Sequence, residues 1–411
     1  MLRAILVIAA LYTAPALADD NWPQFRGPTG DGHATAKSLP AEFGDATHVT
    51  WKTAIHGRGW SSPVVWGDQV WMTTATEDGK QMYAVCVDRD SGKITHDIKL
   101  FDVESPREVH SLNSYASPTP AIEEGRVYIH FGSYGTAALN TESGETIWQR
   151  RDLPCDHHRG PGSSPMLFGE LLIIHYDGFD VQYVVALNKQ TGETVWKMDR
   201  NIDFGTTDGD VMKAYCTPIV IDVEGQLQLI SPFSKAAMAY DPLTGKEIWR
   251  VRYNEFSATA RPLFGHGLVF INTGFGKAEL WAVKPDGAGD ITDSHVVWKV
   301  TKSVGSMPSP LLVDDLIYIL HDGGVASCVE ATTGAEVWSK RLGGNYSASP
   351  IFADDKIYFT SREGVVTVIK PGREYEELAT IEFPDGFMAS PAAVGKSLFL
   401  RSTTHLYRIE E

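Results

Sequence analysis

Long apolar runs are missing from all but the start of this chain. After the first 18 residues no stretch approaches the ~18 consecutive apolar residues of a membrane-spanning helix, so no span is expected in the mature protein. Cysteine is scarce: Cys86, Cys155, Cys216 and Cys328 are the only four in 411 residues. None falls in a CxxC or other metal-ligand spacing, which leaves a zinc site unsupported. So few cysteines in so long a chain do not make a disulfide scaffold either. No segment sustains a helical period. A G-x-S-x-G elbow and a paired-carboxylate motif are also absent, so hydrolase chemistry has no motif to rest on. Basic residues are the minority, 36 Lys and Arg against 52 Asp and Glu, for a formal net charge of −16. Such a surface repels phosphate backbones and anionic headgroups, which argues against nucleic-acid and membrane-surface partners.

What opens the chain is a leader pattern. Arg3 gives a minimal positive region, Ala4 to Leu11 a short apolar core, and Ala16-Leu17-Ala18 an A-x-A site with cleavage after Ala18. This reads as a secretory signal peptide. Its removal takes away one Arg and no acid, moving the net charge from −16 to −17. No cysteine follows the apolar core, so no lipid anchor is expected, and the mature protein is expected in the periplasm or outside the cell. The organisation expected is a signal peptide (1–18), an N-terminal extension (19–48) and one repeat domain (49–411).

The repeat is the strongest feature present. Two small residues, a Pro, an apolar run, a tight turn and a second apolar run recur eight times, at Pro63, Pro118, Pro165, Pro218, Pro262, Pro310, Pro350 and Pro391. The spacing runs from 40 to 55 residues. About 30 residues later comes a Thr-Gly turn and then Trp, as in Thr191-Gly192-Glu193 with Trp196 and Thr244-Gly245-Lys246 with Trp249. Each unit parses as four short strands, A to D, bounded by Gly and Asp turns, which is the cadence of a propeller blade. The fold expected is all-β: an eight-bladed β-propeller of four-stranded antiparallel blades. The last unit ends before its D strand. The orphan segment Val49-Thr50-Trp51-Lys52 carries the D-strand Trp and is expected to complete that blade, removing the open edge.

These repeats resemble the PQQ-like β-propellers, a family that includes quinoprotein dehydrogenases and BamB-type outer-membrane assembly lipoproteins. The segment Asn21-Trp22-Pro23-Gln24-Phe25-Arg26-Gly27-Pro28 resembles the start of exported PQQ-like propellers of Planctomycetes-type bacteria. The resemblance covers residues 49–411 and is specific for fold; one fold carries many functions.

In a four-stranded blade the D–A and B–C connections share one face. Here that face carries the long loops, residues 99–115, 150–162 and 201–215, all entering neighbouring blades. They hold His110, Asn113, His157, His158, Arg159, Asp208, Asp210 and Lys213, with Asp177 in a B–C hairpin beside them. A polar site for a small or extended ligand is one reading; a solvated loop cluster closing the propeller mouth is the other. Three residues before each Pro stand Trp60, Tyr115, Gly162, Tyr215, Thr259, Met307, Ser347 and Met388, expected to ring the central channel. Aromatic rings there suit stacking on a flat or sugar-like ligand, or packing the mouth shut. Arg261 stands where other units place Ser or Thr, to bind an anionic group bidentately or to pair with a neighbouring blade's Asp. A metal site from His157, His158 and an Asp is disfavoured, because adjacent histidines seldom point at one ion, and none is expected. A Cys155–Cys216 disulfide stays open as an alternative to two thiols. Residues 286–293 read as a polar turn rather than a calcium loop.

The preferred function is an exported cell-envelope binding or scaffolding propeller, presenting its loop-rich face to a protein or glycan partner without bound PQQ. The alternative is a PQQ- and calcium-dependent quinoprotein oxidoreductase of alcohols or sugars. Against it stand the shorter chain and the lack of the adjacent Cys-Cys pair that the resemblance to those dehydrogenases implies.

Overall fold

A computed structural model describes residues 21–411; the leader and its cleavage site at Ala18 lie outside the described residues. Among those residues the chain forms eight sheets of four antiparallel strands, one of which gains a short fifth strand in parallel at its edge; in all but the last the four strands follow one another along the chain. That sheet takes three strands from the C-terminus and its outermost from Val49–Ala54, which pairs with His405–Ile409, Lys52 opposite Tyr407. The chain ends are thereby joined within one blade. A guanidinium tightens the same seam: Arg401 in blade eight donates to Ser61 O (2.8 Å), Ser61 Oγ (2.6 Å) and Thr73 O (2.9 Å) of blade one. No helix among the described residues is long and apolar enough to cross a membrane.

The Thr-Gly and Trp elements turn out to be two halves of one joint between blades. Trp51 of blade eight lies over Gly92 of blade one, Trp148 over Gly192, Trp196 over Gly245 and Trp298 over Gly334. A Cβ on any of these glycines would come within 2.6–2.7 Å of the indole. The indole N–H then donates to a carbonyl of the next blade, Trp51 to Arg89 O (2.8 Å) and Trp148 to Lys189 O (2.9 Å). The aromatic body is buried while its one polar atom is satisfied, as a buried Trp requires. Blade five replaces the Thr-Gly turn, and Trp249 before it donates instead to Gln228 Oε1 of its own blade (2.8 Å). The substituted segment forms a short strand, Gly289–Asp290, on the outer edge of blade four, parallel to Glu247–Arg252.

One blade corrects the repeat alignment. In blade two the first strand is Ala121–Glu123 and begins after Pro120, not after Pro118. The position before the strand-starting Pro is therefore Thr119 rather than Ser117, and the channel-facing position is Ser117 rather than Tyr115. Two prolines two residues apart offered two registers, and hydrogen bonding selects between them. Thr119 Oγ1 accepts from Ser62 N–H (2.9 Å), and Thr119 N–H donates to Ser164 Oγ (3.0 Å). Tyr115 turns into the blade, its hydroxyl donating to Arg107 O (2.7 Å).

The same bond runs around the channel. Ser164 N–H donates to Thr217 Oγ1, Arg261 N–H to Ser309 Oγ, Ser309 N–H to Ser349 Oγ and Ser349 N–H to Ser390 Oγ, each at 2.9 Å. Ser390 N–H closes the circle on Ser62 Oγ at 3.1 Å. This explains the Ser or Thr before each Pro: the hydroxyl is the acceptor that ties one innermost strand to the previous one. The belt has one gap, between Thr217 and Arg261, because Arg has no hydroxyl to offer.

Residues 21–34 close the channel on the face of short turns. Trp22 exchanges backbone hydrogen bonds with Val65, Ile122 N–H donates to Pro23 O, and Phe352 N–H donates to Gly32 O. Two buried guanidiniums fasten this plug. Arg26 donates to Pro310 O (2.8 Å), Pro350 O (3.2 Å) and Asp31 O (2.6 Å). Arg261 comes from the opposite side and donates to Pro218 O (3.1 Å) and Phe25 O. Burial pushes the Arg26 guanidinium down to about 9 and Arg261 to about 10. Carbonyl dipoles rather than carboxylates hold both in a desolvated position, with Arg26 Nε–H left without a protein acceptor.

Candidate functional site

With the far mouth plugged, the channel becomes a blind cavity of about 340 Å³ that opens on the loop-rich face. Its floor is Phe25 and the hydroxyl belt. Above them all eight channel-facing positions line it in the corrected register: Trp60, Ser117, Gly162, Tyr215, Thr259, Met307, Ser347 and Met388. The volume lies at the lower end of the ~300–1,000 Å³ of small-molecule sites.

Of the loop residues singled out from sequence, His110, Asn113, Arg159, Asp210 and Lys213 line the cavity, and Trp60 and Tyr215 come from its ring. Asn113 acts as a clamp between loops, donating to Arg159 O (2.9 Å) and Pro161 O (3.1 Å) and accepting from Ser114 N–H (2.8 Å). Lys213 is nearly buried and has all three donors engaged, with Asp210 O (2.7 Å), Asp210 Oδ1 (2.7 Å) and Ser257 Oγ (3.0 Å). Burial lowers its pKa, opposed by the Asp210 carboxylate. Arg159 approaches Asp210 only to 3.6 Å and is largely exposed. His110 accepts from Leu112 N–H at Nδ1 (3.2 Å), which fixes Nε2 as its donor.

The remaining residues sit elsewhere. His157 is buried under Gly132, its Nε2 accepting from Ser133 N–H (3.1 Å), and burial pushes it down to about 4, so it is neutral. His158 lies outside the cavity, its ring tilted against Phe179 (4.8 Å) and 3.6 Å from Asp210. The two adjacent histidines thus diverge, and no cluster of three His, Cys, Asp or Glu fit for a metal occurs among the described residues. Asp208 caps the short turn Gly209–Val211, accepting from Asp210 N–H (3.0 Å). Asp177 is buried in a bidentate pair with Arg200 (2.9 and 2.6 Å). Arg261 faces the plug, not the cavity. Cys155 and Cys216 are both buried free thiols, so the bridge between them does not form. Cys155 Sγ lies instead 3.7 Å from His157 Nδ1.

Several lining residues escaped sequence reasoning. The belt hydroxyls were visible as small residues of the repeat, with no bonding role attached to them. Phe25 could not be placed, because only tertiary structure carries the extension into the channel. Phe256 and Phe275 form the rim, their rings 5.8 Å apart and edge to face. Phe275 is 57% exposed.

A calcium-bridged quinone does not fit this donor set. Calcium takes six to eight oxygen ligands, several of them carboxylates. Asp210 is the one carboxylate lining the cavity, and Lys213 holds it.

An eight-bladed propeller with a single blind channel defines the class: a PQQ-like repeat propeller. More narrowly, the sequence profile described as "Outer membrane protein assembly factor BamB" matches residues 45–198 and again 180–411, and the chain belongs to that family. Among curated proteins none matches it in sequence. Solved structures share the fold at low identity. BamB from Moraxella catarrhalis is 11% identical, with 88% of this chain and 99% of that one covered, at a TM-score of 0.62. The quinohemoprotein alcohol dehydrogenase of Comamonas testosteroni is 12% identical, with 95% and 80% covered, at 0.70. A europium-containing methanol dehydrogenase is 10% identical, with 94% and 90% covered, at 0.67.

Proposed function

We propose that the protein is an exported binding propeller of the cell envelope that presents its loop-rich face to a partner, with a glycan group entering the cavity. The observation that carries this reading is the blind cavity itself, concave, rimmed by aromatics and placed where the three long loops converge. Protein partners bury on the order of 1,200–2,000 Å² across broad surfaces, whereas a small concave pocket with few polar groups suits a compact ligand. Aromatic faces beside hydroxyls complement a sugar ring, whose C–H face stacks while its oxygens hydrogen-bond. The quinoprotein alternative finds no support in the donor set.

The test is saturation-transfer NMR on the purified mature protein with soluble oligosaccharide fragments of the cell envelope. Transfer to sugar-ring protons is expected. No transfer from any fragment would remove the glycan reading. A quinone absorbance band that survives desalting after incubation with PQQ and calcium would replace it with the oxidoreductase.

A further inference from the structure

The polar groups facing the cavity are unevenly committed. Each belt hydroxyl accepts a neighbour's N–H, yet among the described residues none of Ser62, Thr119, Ser164, Thr217, Ser349 and Ser390 donates its own O–H to a protein acceptor. All six line the cavity and are at most 5% exposed. Accepting an N–H polarises a hydroxyl and makes it a better donor. Trp60 Nε1–H is likewise buried without a protein acceptor, and His110 Nε2–H is the donor left by that ring's tautomer. Higher on the wall, the Arg159 guanidinium touches only Asp210, at 3.6 Å.

The charge balance points the same way. Lys213 and Asp210 neutralise one another at 2.7 Å. Arg159 reaches only 3.6 Å from the Asp210 carboxylate that Lys213 already holds, so most of its donors stay unspent at the mouth. A neutral polyol brings about as many donors as acceptors and would set some of its O–H groups against these donors. An oxyanion brings acceptors alone, and a guanidinium holds a carboxylate through charge-assisted bonds.

We infer that the cavity is specific for an acidic saccharide, a sugar bearing a carboxylate that meets Arg159 and His110. Its ring stacks in the aromatic rim and its ring oxygens face the hydroxyl belt. This rests on the glycan reading above and narrows it to one class.

Galacturonic acid and galactose make a direct pair of probes, since they differ only in a carboxylate against a hydroxymethyl group. By saturation-transfer titration of the mature protein, galacturonic acid is expected to bind at least about tenfold more tightly than galactose. Arg159→Ala should erase the difference, while Arg159→Lys, which keeps the charge but not the fork, should keep part of it. Trp60→Phe keeps an aromatic face but loses the indole N–H and the second ring, and should weaken both sugars alike. Equal binding of the two sugars, or a preference untouched by Arg159→Ala, would overturn the inference and leave the glycan reading standing. Binding of neither sugar would also overturn the inference, and the glycan reading would then be decided by the oligosaccharide fragments above.

Discussion

Trp51→Ala is expected to lower the unfolding free energy by about 3–5 kcal/mol, the usual cost of truncating a buried aromatic. Trp51 is 9% exposed, packs 6.1 Å from Phe399, lies on Gly92 and donates to Arg89 O at 2.8 Å. Among the described residues its strand is the one strand of blade eight supplied by the N-terminal side of the chain, so the substitution also loosens the closure of the ring. Two results are read together: the denaturant midpoint, and the rate of proteolysis within residues 49–54. Trp298 occupies the equivalent seat between blades five and six, well inside the chain. Its alanine variant should lose stability without releasing a chain end. A loss under about 1 kcal/mol for Trp51→Ala would mean that the closure does not depend on the indole joint.

Asp177→Ala carries the second large effect. The Arg200 guanidinium is buried and bidentate to Asp177, also donates to Ser231 Oγ, and lies 4.7 Å from the Phe233 ring. Removing the carboxylate leaves an unpaired charge in the interior, at a cost of about 3–5 kcal/mol. Replacing both partners, Asp177→Leu with Arg200→Met, removes the stranded charge and should recover most of that loss. Urea unfolding of the unsubstituted protein, Asp177→Ala and the double variant measures this. If the double variant is as unstable as the single one, the pair matters through its hydrogen-bonded shape rather than its charge.

Asp177 also shows where sequence reasoning stopped. Its place in a hairpin on the loop-rich face was legible, but its partner Arg200, 23 residues on, was not, since only the blade's pairing register brings them together. The blades themselves were readable because each repeats the same local chemistry: a hydroxyl and Pro to begin a strand, a Gly turn, and a Trp. Blade eight was readable for the same reason, through the stray Trp51. The register slip at Pro118 came from two prolines with equal local claims. The choice was made by Ser164 of the next blade, which no local pattern encodes.

The extension at 19–48 was legible only as a flank outside the repeat. Residues 21–34 close the channel through bonds to Val65, Ile122 and Phe352. Arg261 stood out correctly as the odd member of the belt, but its partners, Phe25 O and Pro218 O, are backbone carbonyls that carry no signature in sequence. The convergence of loops from blades two to four on one sector followed from the parse alone. Which of their side chains reach the cavity did not. His157 and His158 are neighbours in sequence and part company in the fold.

Filling the cavity tests most directly whether it is the ligand site. Thr259 lines the wall, and Thr259→Trp places an indole into a space of about 340 Å³. Saturation-transfer NMR on this variant, with its unfolding midpoint measured alongside, should show sugar binding lost while the fold is kept. Undiminished binding by a folded Thr259→Trp protein would contradict the account and move the site elsewhere on the propeller.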